Sequence, residues 1–167
     1  STEQKPVEEA AEDEDDDEDV MTFEANTAST VTKAVNEAVK HIITIINNCT
    51  KKDTTVTIEN VNIDVSKDGK AAMAVQGKGD TTVKLKGDNT LKSGNSHAGV
   101  EKNDSTSNGK LTITADSTQD SLVASGGSNA AGIGSSGGKQ GTSKLAIEGG
   151  TITATGGLYG AGIGGGW

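Results

Sequence analysis

The feature that most constrains this chain is an internal repeat of about 30 residues. The segment 56–65 (VTIENVNIDV) superposes without a gap on the segment 145–154 (LAIEGGTITA). Two further copies lie between them. The equivalent apolar residues of the four copies are spaced 28, 31 and 30 residues apart: Ile63, Leu91, Leu122 and Ile152. One unit of this size cannot bury its apolar face alone, so the copies must stack on one another.

Each copy reads as three short strands with alternating apolar residues, bounded by Gly, Asn, Asp and Ser. The third strand of every copy is rich in small residues, at 71–75, 97–100, 130–134 and 160–164. We therefore predict an all-β fold, a parallel β-helix (solenoid) of about four coils. Two inward ladders are expected, Val56/Val83/Leu111/Leu145 and Ile63/Leu91/Leu122/Ile152. The alternative is a twisted antiparallel sandwich, whose copies would not keep a common register.

The composition suits a narrow core. The chain has three aromatic residues and no Arg, and all 23 Gly fall at or after Gly69. The core must therefore consist of Val, Ile, Leu and Ala, and the composition excludes a membrane span, a disulfide scaffold and a basic nucleic-acid binder. The single Cys49 follows an apolar run and is predicted to be a buried, inert thiol.

The N-terminal region differs from the repeats. Residues 1–19 hold 11 acids and one Lys, whereas the rest of the chain holds 13 acids and 14 Lys, so the net charge of -9 comes from the tail. Such a segment is predicted to be disordered. Apolar residues at spacings of three and four predict an α-helix over 30–40 that caps the first coil, and the run 41–46 (HIITII) predicts a strand. We divide the chain into an acidic tail (1–26), a capping helix and first strand (27–50) and β-helix repeats (51–167).

The repeats resemble a known family. AGIG motifs, the strand pair KLAIEGGTITATGG and the return to GAGIGGG are similar to repetitive β-helical surface proteins of anaerobic Gram-positive bacteria. The stretch TVKLKGDNTLKSGNSHAGVE resembles the coils of carbohydrate-binding β-helix domains related in fold to pectate lyases. The resemblance covers roughly residues 27–166. It implies a right-handed β-helix, an extracellular, cell-surface location, and further repeats in a longer parent chain.

Sugar recognition uses aromatic rings that stack on the sugar, surrounded by hydrogen-bonding groups. Tyr159 and Trp167 are the only aromatic residues in the repeats. The outward polar positions Asn62, Asp64 and Thr153 belong to a surface that could hold an extended glycan. These five residues are the candidate ligand-binding residues. The same polar surface is also expected of any solvated β-helix, so the partner is a polysaccharide or host glycan, or none.

Catalytic and metal sites are not expected. Polysaccharide lyases of this fold need calcium-bound carboxylates and a strong base, commonly Arg, and glycosidases need paired carboxylic acids. Glu59 and Glu148 occupy equivalent repeat positions but lie about three coils apart. His41 and His97 have no partner at ligand spacing. Cofactors are expected to be absent, although scattered acids could bind calcium weakly at Asp68, Asp80, Asp88, Glu101 and Asp104.

Two sites literally match the dinucleotide fingerprint, at Gly132, Gly134 and Gly137 and again 28 residues later. No helical pattern follows either site, so we interpret these glycines as turn residues. Three hypotheses for function remain, in order: a cell-surface binding or adhesion module, a structural stalk of a larger surface protein, and a polysaccharide lyase or glycosidase.

Overall fold

The computed structural model describes residues 18–23, 34–35, 42–51, 53–139 and 141–167. Within these ranges all regular structure is β. The strands in chain order are β1 (Glu18–Phe23), β2 (Ala34–Val35), β3 (Ile42–Asn47), β4 (Thr54–Glu59), β5 (Asn62–Asp64), β6 (Met73–Gln76), β7 (Thr81–Lys86), β8 (Asp88–Lys92), β9 (Val100–Glu101), β10 (Leu111–Ala115), β11 (Ser121–Ser125), β12 (Ile133–Gly134), β13 (Leu145–Ile147), β14 (Thr151–Thr155) and β15 (Ile163–Gly164).

The strands form three parallel sheets that run side by side along one axis. The six-stranded sheet has the order β1-β3-β6-β9-β12-β15, the five-stranded sheet β2-β4-β7-β10-β13, and the four-stranded sheet β5-β8-β11-β14. Each repeat contributes one strand to each sheet, so the chain winds as a β-solenoid of about four coils. The predicted parallel solenoid and its three strands per copy are confirmed, and the sandwich alternative is wrong.

The predicted ladders are wrong by two residues in the later coils. Val56 pairs with Val83 as expected, but Val83 pairs with Ile113 rather than Leu111. In the four-stranded sheet Leu91 pairs with Ala124, and Leu122 pairs instead with Asn89 and Ile152. A shift of two residues keeps every side chain on its own face of the strand, so alternation alone cannot distinguish the two registers.

The core is aliphatic, as the composition requires. Ile43, Ile58, Leu91, Leu111 and Ile133 are fully buried, each on a different strand. Each such side chain stabilises the fold by about 1.5–3 kcal/mol relative to exposure. Cys49 is also buried in this core, as predicted.

Polar side chains complete the interior where the chain turns from one sheet to the next. The amide of Asn89 accepts a hydrogen bond from Val61 N (3.0 Å) and donates to Ser121 O (3.2 Å), so it joins three successive coils. Asn47 donates to Asp80 O (2.9 Å) and accepts from Cys49 N (2.9 Å). These bonds satisfy turn backbone groups that would otherwise be buried without a partner.

The N-terminal region agrees with its prediction only in part: the strand predicted over 41–46 is found as β3, whereas two other segments differ. Strand β1 lies inside the segment predicted to be a disordered tail, and it pairs in parallel with β3. Its sequence, EDVMTF, ends in β-forming residues beside a strand of β-branched residues, which favours pairing. Of the helix predicted over 30–40, only Ala34–Val35 is described, and this pair forms β2 beside β4. A weak helical propensity is readily overridden by such pairing. The remaining residues of the predicted tail and helix lie outside the described ranges.

Candidate functional site

The outer face of the four-stranded sheet is a regular polar surface that carries three of the predicted ligand-binding residues. Strand pairing arranges its outward side chains in three ranks across the coils. The members are Asp88, Ser121 and Thr151 in the first rank, Asn62, Thr90, Val123 and Thr153 in the second, and Asp64, Lys92, Ser125 and Thr155 in the third. We call this surface the polar face. Val123 is its one apolar member.

Three of the five predicted ligand-binding residues lie on the polar face. Asn62 and Thr153 occupy the same rank at opposite ends, three strand steps apart, which corresponds to about 14 Å. Asp64 lies in the adjacent rank, two residues along the strand from Asn62. All three side chains are exposed. The sequence therefore placed these residues on one face, although it paired the strands in the wrong register.

Hydrogen bonds and a neighbouring Lys hold two acidic side chains of the polar face in place. Hydrogen bonds from the Ser66 side chain and backbone N–H, together with the nearby Lys92 ammonium, lower the pKa of the Asp64 carboxyl. The Ser121 hydroxyl donates to Asp88 Oδ1 at 2.8 Å. Asp64 is consequently ionised at neutral pH, and one rank presents a carboxylate beside the Lys92 cation.

The other two predicted residues, Tyr159 and Trp167, lie together in the last coil. Their ring centroids are 5.5 Å apart and their planes are tilted by 43°. Tyr159 follows β14 at a corner where the earlier coils carry Ser96 and Asn129, and all three residues have φ of 67°. This left-handed conformation is unusual for an aromatic residue. Tyr159 lies in the turn after β14, Trp167 follows β15, and both rings are exposed. The five predicted residues therefore form two separate groups, three on the polar face and the two aromatic rings beside each other.

Two pairs of charged residues that the sequence did not predict lie next to each other in the chain, His97–Glu101 and Lys102–Asp104. His97 Nδ1 lies 3.0 Å from Glu101 Oε1, and the Ala98 backbone N–H donates to the same oxygen. This contact is a hydrogen-bonded pair, and the expectation that His97 is not a metal ligand stays a prediction; His41 lies outside the described residues. The next residue, Lys102, is 1% exposed and donates to Ser107 O (3.1 Å) and Asp104 Oδ1 (3.4 Å). The spacing of His97 and Glu101 was the available signal, but the segment is not helical and the turn that joins the pair was not predictable.

The acidic residues considered as weak calcium ligands include two that accept hydrogen bonds from backbone N–H groups at separate corners of the solenoid. Asp80 accepts a hydrogen bond from Lys110 N, and Asp104 accepts one from Ser143 N, each at 2.8 Å. Among the described residues, no three His, Cys, Asp or Glu side chains come together as a metal site. Glu59 and Glu148 are not equivalent in the sheet: Glu59 pairs with Lys86, whereas Ile147, the residue before Glu148, is in register with Val83.

Gly132 and Gly134 of the first fingerprint match are packing residues. A Cβ added at Gly132 would lie 2.6 Å from Thr155 N, and Gly134 has φ of 144°. In the described residues, the first regular element after the first match is strand β13 and not a helix. In that same part of the chain, no helix is long and apolar enough to cross a membrane.

Comparison with known proteins adds no relative. No protein-family model, no curated protein and no solved structure matches the chain. The functional interpretation therefore depends on the geometry of the solenoid.

Proposed function

We propose that this protein is an extracellular, cell-surface binding module whose polar face holds an extended polysaccharide or host glycan. The observation that supports this proposal best is the alignment of Asn62, Asp64 and Thr153 with a field of hydroxyl groups on one sheet face. In this proposal the solenoid is a right-handed, pectate-lyase-like β-helix, the hand that parallel crossovers favour.

The proposed recognition depends on many weak contacts. Strands spaced about 4.8 Å apart repeat hydroxyl and amide groups at regular intervals, and a sugar chain presents hydroxyl groups of its own. Each hydrogen bond contributes about 0.5–1.5 kcal/mol net, so several are needed for measurable affinity. A rigid sheet loses little conformational entropy on binding, which favours such a mode. The ionised Asp64 carboxylate favours a neutral glycan over a polyuronate.

Calorimetric titration of the whole chain with cello-oligosaccharides, polygalacturonate and mucin glycans tests the proposal, with and without calcium. The Asn62→Ala and Thr153→Ala variants are each expected to weaken affinity about 2- to 10-fold. Thr112→Ala is the matched control, because Thr112 lies on the outer face of the five-stranded sheet. Heat signals at background for every glycan would overturn the proposal.

The second candidate is a structural stalk that spaces other domains. The observation that favours it is the single apolar core, which runs without interruption from β3 to β12. A parent gene with dozens of further copies, combined with no glycan binding, would favour the stalk. A short array that binds glycan would favour the binding module.

The third candidate is a polysaccharide lyase or glycosidase. The hydrogen-bonded His97–Glu101 pair is the feature that could support proton transfer. Incubation with polygalacturonate and cello-oligosaccharides, followed by measurement of unsaturated and reducing ends, tests this candidate. If the wild type forms products and Glu101→Gln does not, the enzyme candidate would rank above the other two.

A further inference from the structure

The corner loop 102–110, which joins β9 to β10, contains the one Asn–Gly sequence of the chain, Asn108–Gly109. Asn108 is exposed, whereas Gly109 is buried in the corner. Because Gly has no side chain, its backbone nitrogen is open to approach by the side chain of the preceding Asn. The two groups that must meet for an Asn to lose its amide are therefore adjacent in a surface loop.

The contacts of Asn108 come from the coils on either side of it. Its backbone N–H donates to Gly77 O at 3.0 Å, and the N–H of Gly109 donates to the same oxygen over a longer 3.4 Å. A hydrogen bond of that length is weak, so it holds the Gly109 nitrogen only loosely. The ammonium of Lys144 donates to Asn108 O at 2.9 Å and to the side-chain Oδ1 at 3.5 Å. A cation therefore lies beside the carbonyl group that a nucleophile would attack.

We propose that Asn108 is a site of spontaneous deamidation, promoted by Lys144. The Gly109 nitrogen adds to Cγ of Asn108 and gives up its proton, while the Lys144 ammonium stabilises the negative charge that develops on Oδ1. The side-chain nitrogen takes up a proton and leaves as ammonia, and a cyclic succinimide remains. Water then opens the ring at either of its carbonyl groups and gives Asp or isoaspartate. Nothing is oxidised or reduced, because ammonia leaves and water enters.

The two products differ in their effect on the packed corner. Conversion to Asp places a carboxylate beside the Lys144 ammonium and leaves the backbone unchanged. Conversion to isoaspartate inserts an extra carbon into the backbone between the two N–H groups that share Gly77 O. Gly109 has little room to adjust, because a Cβ built there would lie 1.8 Å from Gly79 O of the preceding coil. Isoaspartate at this site therefore loosens the contact between these coils.

Incubation of the whole chain at neutral and mildly alkaline pH, followed by peptide mapping with mass spectrometry, tests the proposal. Asn95 is the reference in the same sample, because it is also exposed in a corner turn but precedes Ser96. Asn108 is expected to convert about tenfold faster than Asn95 or more, with uptake of heavy oxygen from labelled water. Equal conversion at the two sites, or an Asn108 that stays unmodified, would overturn the proposal.

Two lysine variants separate the effect of the fold from that of the dipeptide. Lys144→Gln is expected to slow conversion of Asn108 in the folded chain about 2- to 5-fold, because it removes a solvated cation from the amide. Lys139→Gln changes another exposed Lys of the loop 135–144 and is the matched control, which should react like the wild type. In guanidinium, where the contact between coils is lost, all three proteins should react at one rate. An unchanged rate in folded Lys144→Gln would overturn the proposal.

Discussion

The first and last coils of the described solenoid differ in how deeply their inward side chains are buried. In the first coils Ile43, Val56 and Ile63 are fully buried, even though β5, which carries Ile63, is the edge of its sheet. In the last coil no described residue reaches full burial, although Ile152 and Ile163 continue the same inward ranks. Inward isoleucines thus occupy core positions in the first coils and partly exposed positions in the last coil, because burial in a solenoid comes from the neighbouring coils.

The largest expected effect compares two isoleucines of one rank. Ile43 and Ile163 belong to one rank that also contains Met73, Val100 and Ile133, and strand β1 lies beyond Ile43. Ile43→Ala should reduce the free energy of unfolding by about 2–5 kcal/mol, through lost burial and a new cavity. Ile163→Ala should reduce it by about 1 kcal/mol or less, since half of the side chain is already exposed.

Urea unfolding, followed by circular dichroism at low protein concentration, measures both variants. Equal losses in the two variants would show that Ile163 is covered in the isolated chain and would remove the difference between the ends.

The second comparison concerns the close approach of backbones at the corners. A Cβ at Gly94, between the four- and six-stranded sheets, would lie 1.6 Å from Asp68 O of the preceding coil. Gly94→Ala should therefore force the coils apart and reduce stability by about 1–3 kcal/mol. A Cβ at Gly165, in the last coil, meets only Ser135 Oγ at 4.0 Å, and Gly165→Ala should change stability by less than about 0.5 kcal/mol.

Both variants add the same methyl group, so thermal unfolding of the two proteins compares the packing at the two glycines directly. A large loss in Gly165→Ala would mean that the last coil is packed as tightly as the inner coils. A negligible loss in Gly94→Ala would mean that the corner can widen without disturbing the sheets on either side.

Much of this fold is readable from the sequence, for a physical reason. Alternation of apolar residues defines a strand face, and a constant repeat length makes those faces stack, so three sheets and about four coils follow. The register does not follow, because Asn89 occupies an inward position that an apolar residue would normally mark. Aligning the apolar residues skips this position and shifts the later strands by two.

The candidate site was also predictable only in part. Outward positions are fixed by alternation, so Asn62, Asp64 and Thr153 could be assigned to one face. The contacts of Lys102 could not be assigned, because a buried Lys needs specific partners that the turn 102–107 brings into place. The exposure of the last coil was equally hidden, since its sequence has the pattern of a buried coil.

The smallest expected effect compares two aspartates whose pKa values are both lowered. Asp64 receives its bond from Ser66, two residues away, whereas Asp104 receives a backbone bond from Ser143, 39 residues away in the next coil. A folded-state pKa below the ordinary value stabilises the fold above that value, near 3.8, and this stability is lost as the pH falls through the folded pKa. An unfolded chain can still form the local Asp64 turn, but it cannot form the contact between coils.

The stability that the protein loses between pH 7 and about pH 3 should therefore be reduced more by Asp104→Asn than by Asp64→Asn. The two variants should differ in this loss by less than about 1 kcal/mol, because both carboxyls are largely solvated. Urea midpoints of the wild type and both variants at the two pH values measure the difference. If Asp64→Asn flattened the pH dependence as much as Asp104→Asn, the bond between coils would have no special role in acid stability.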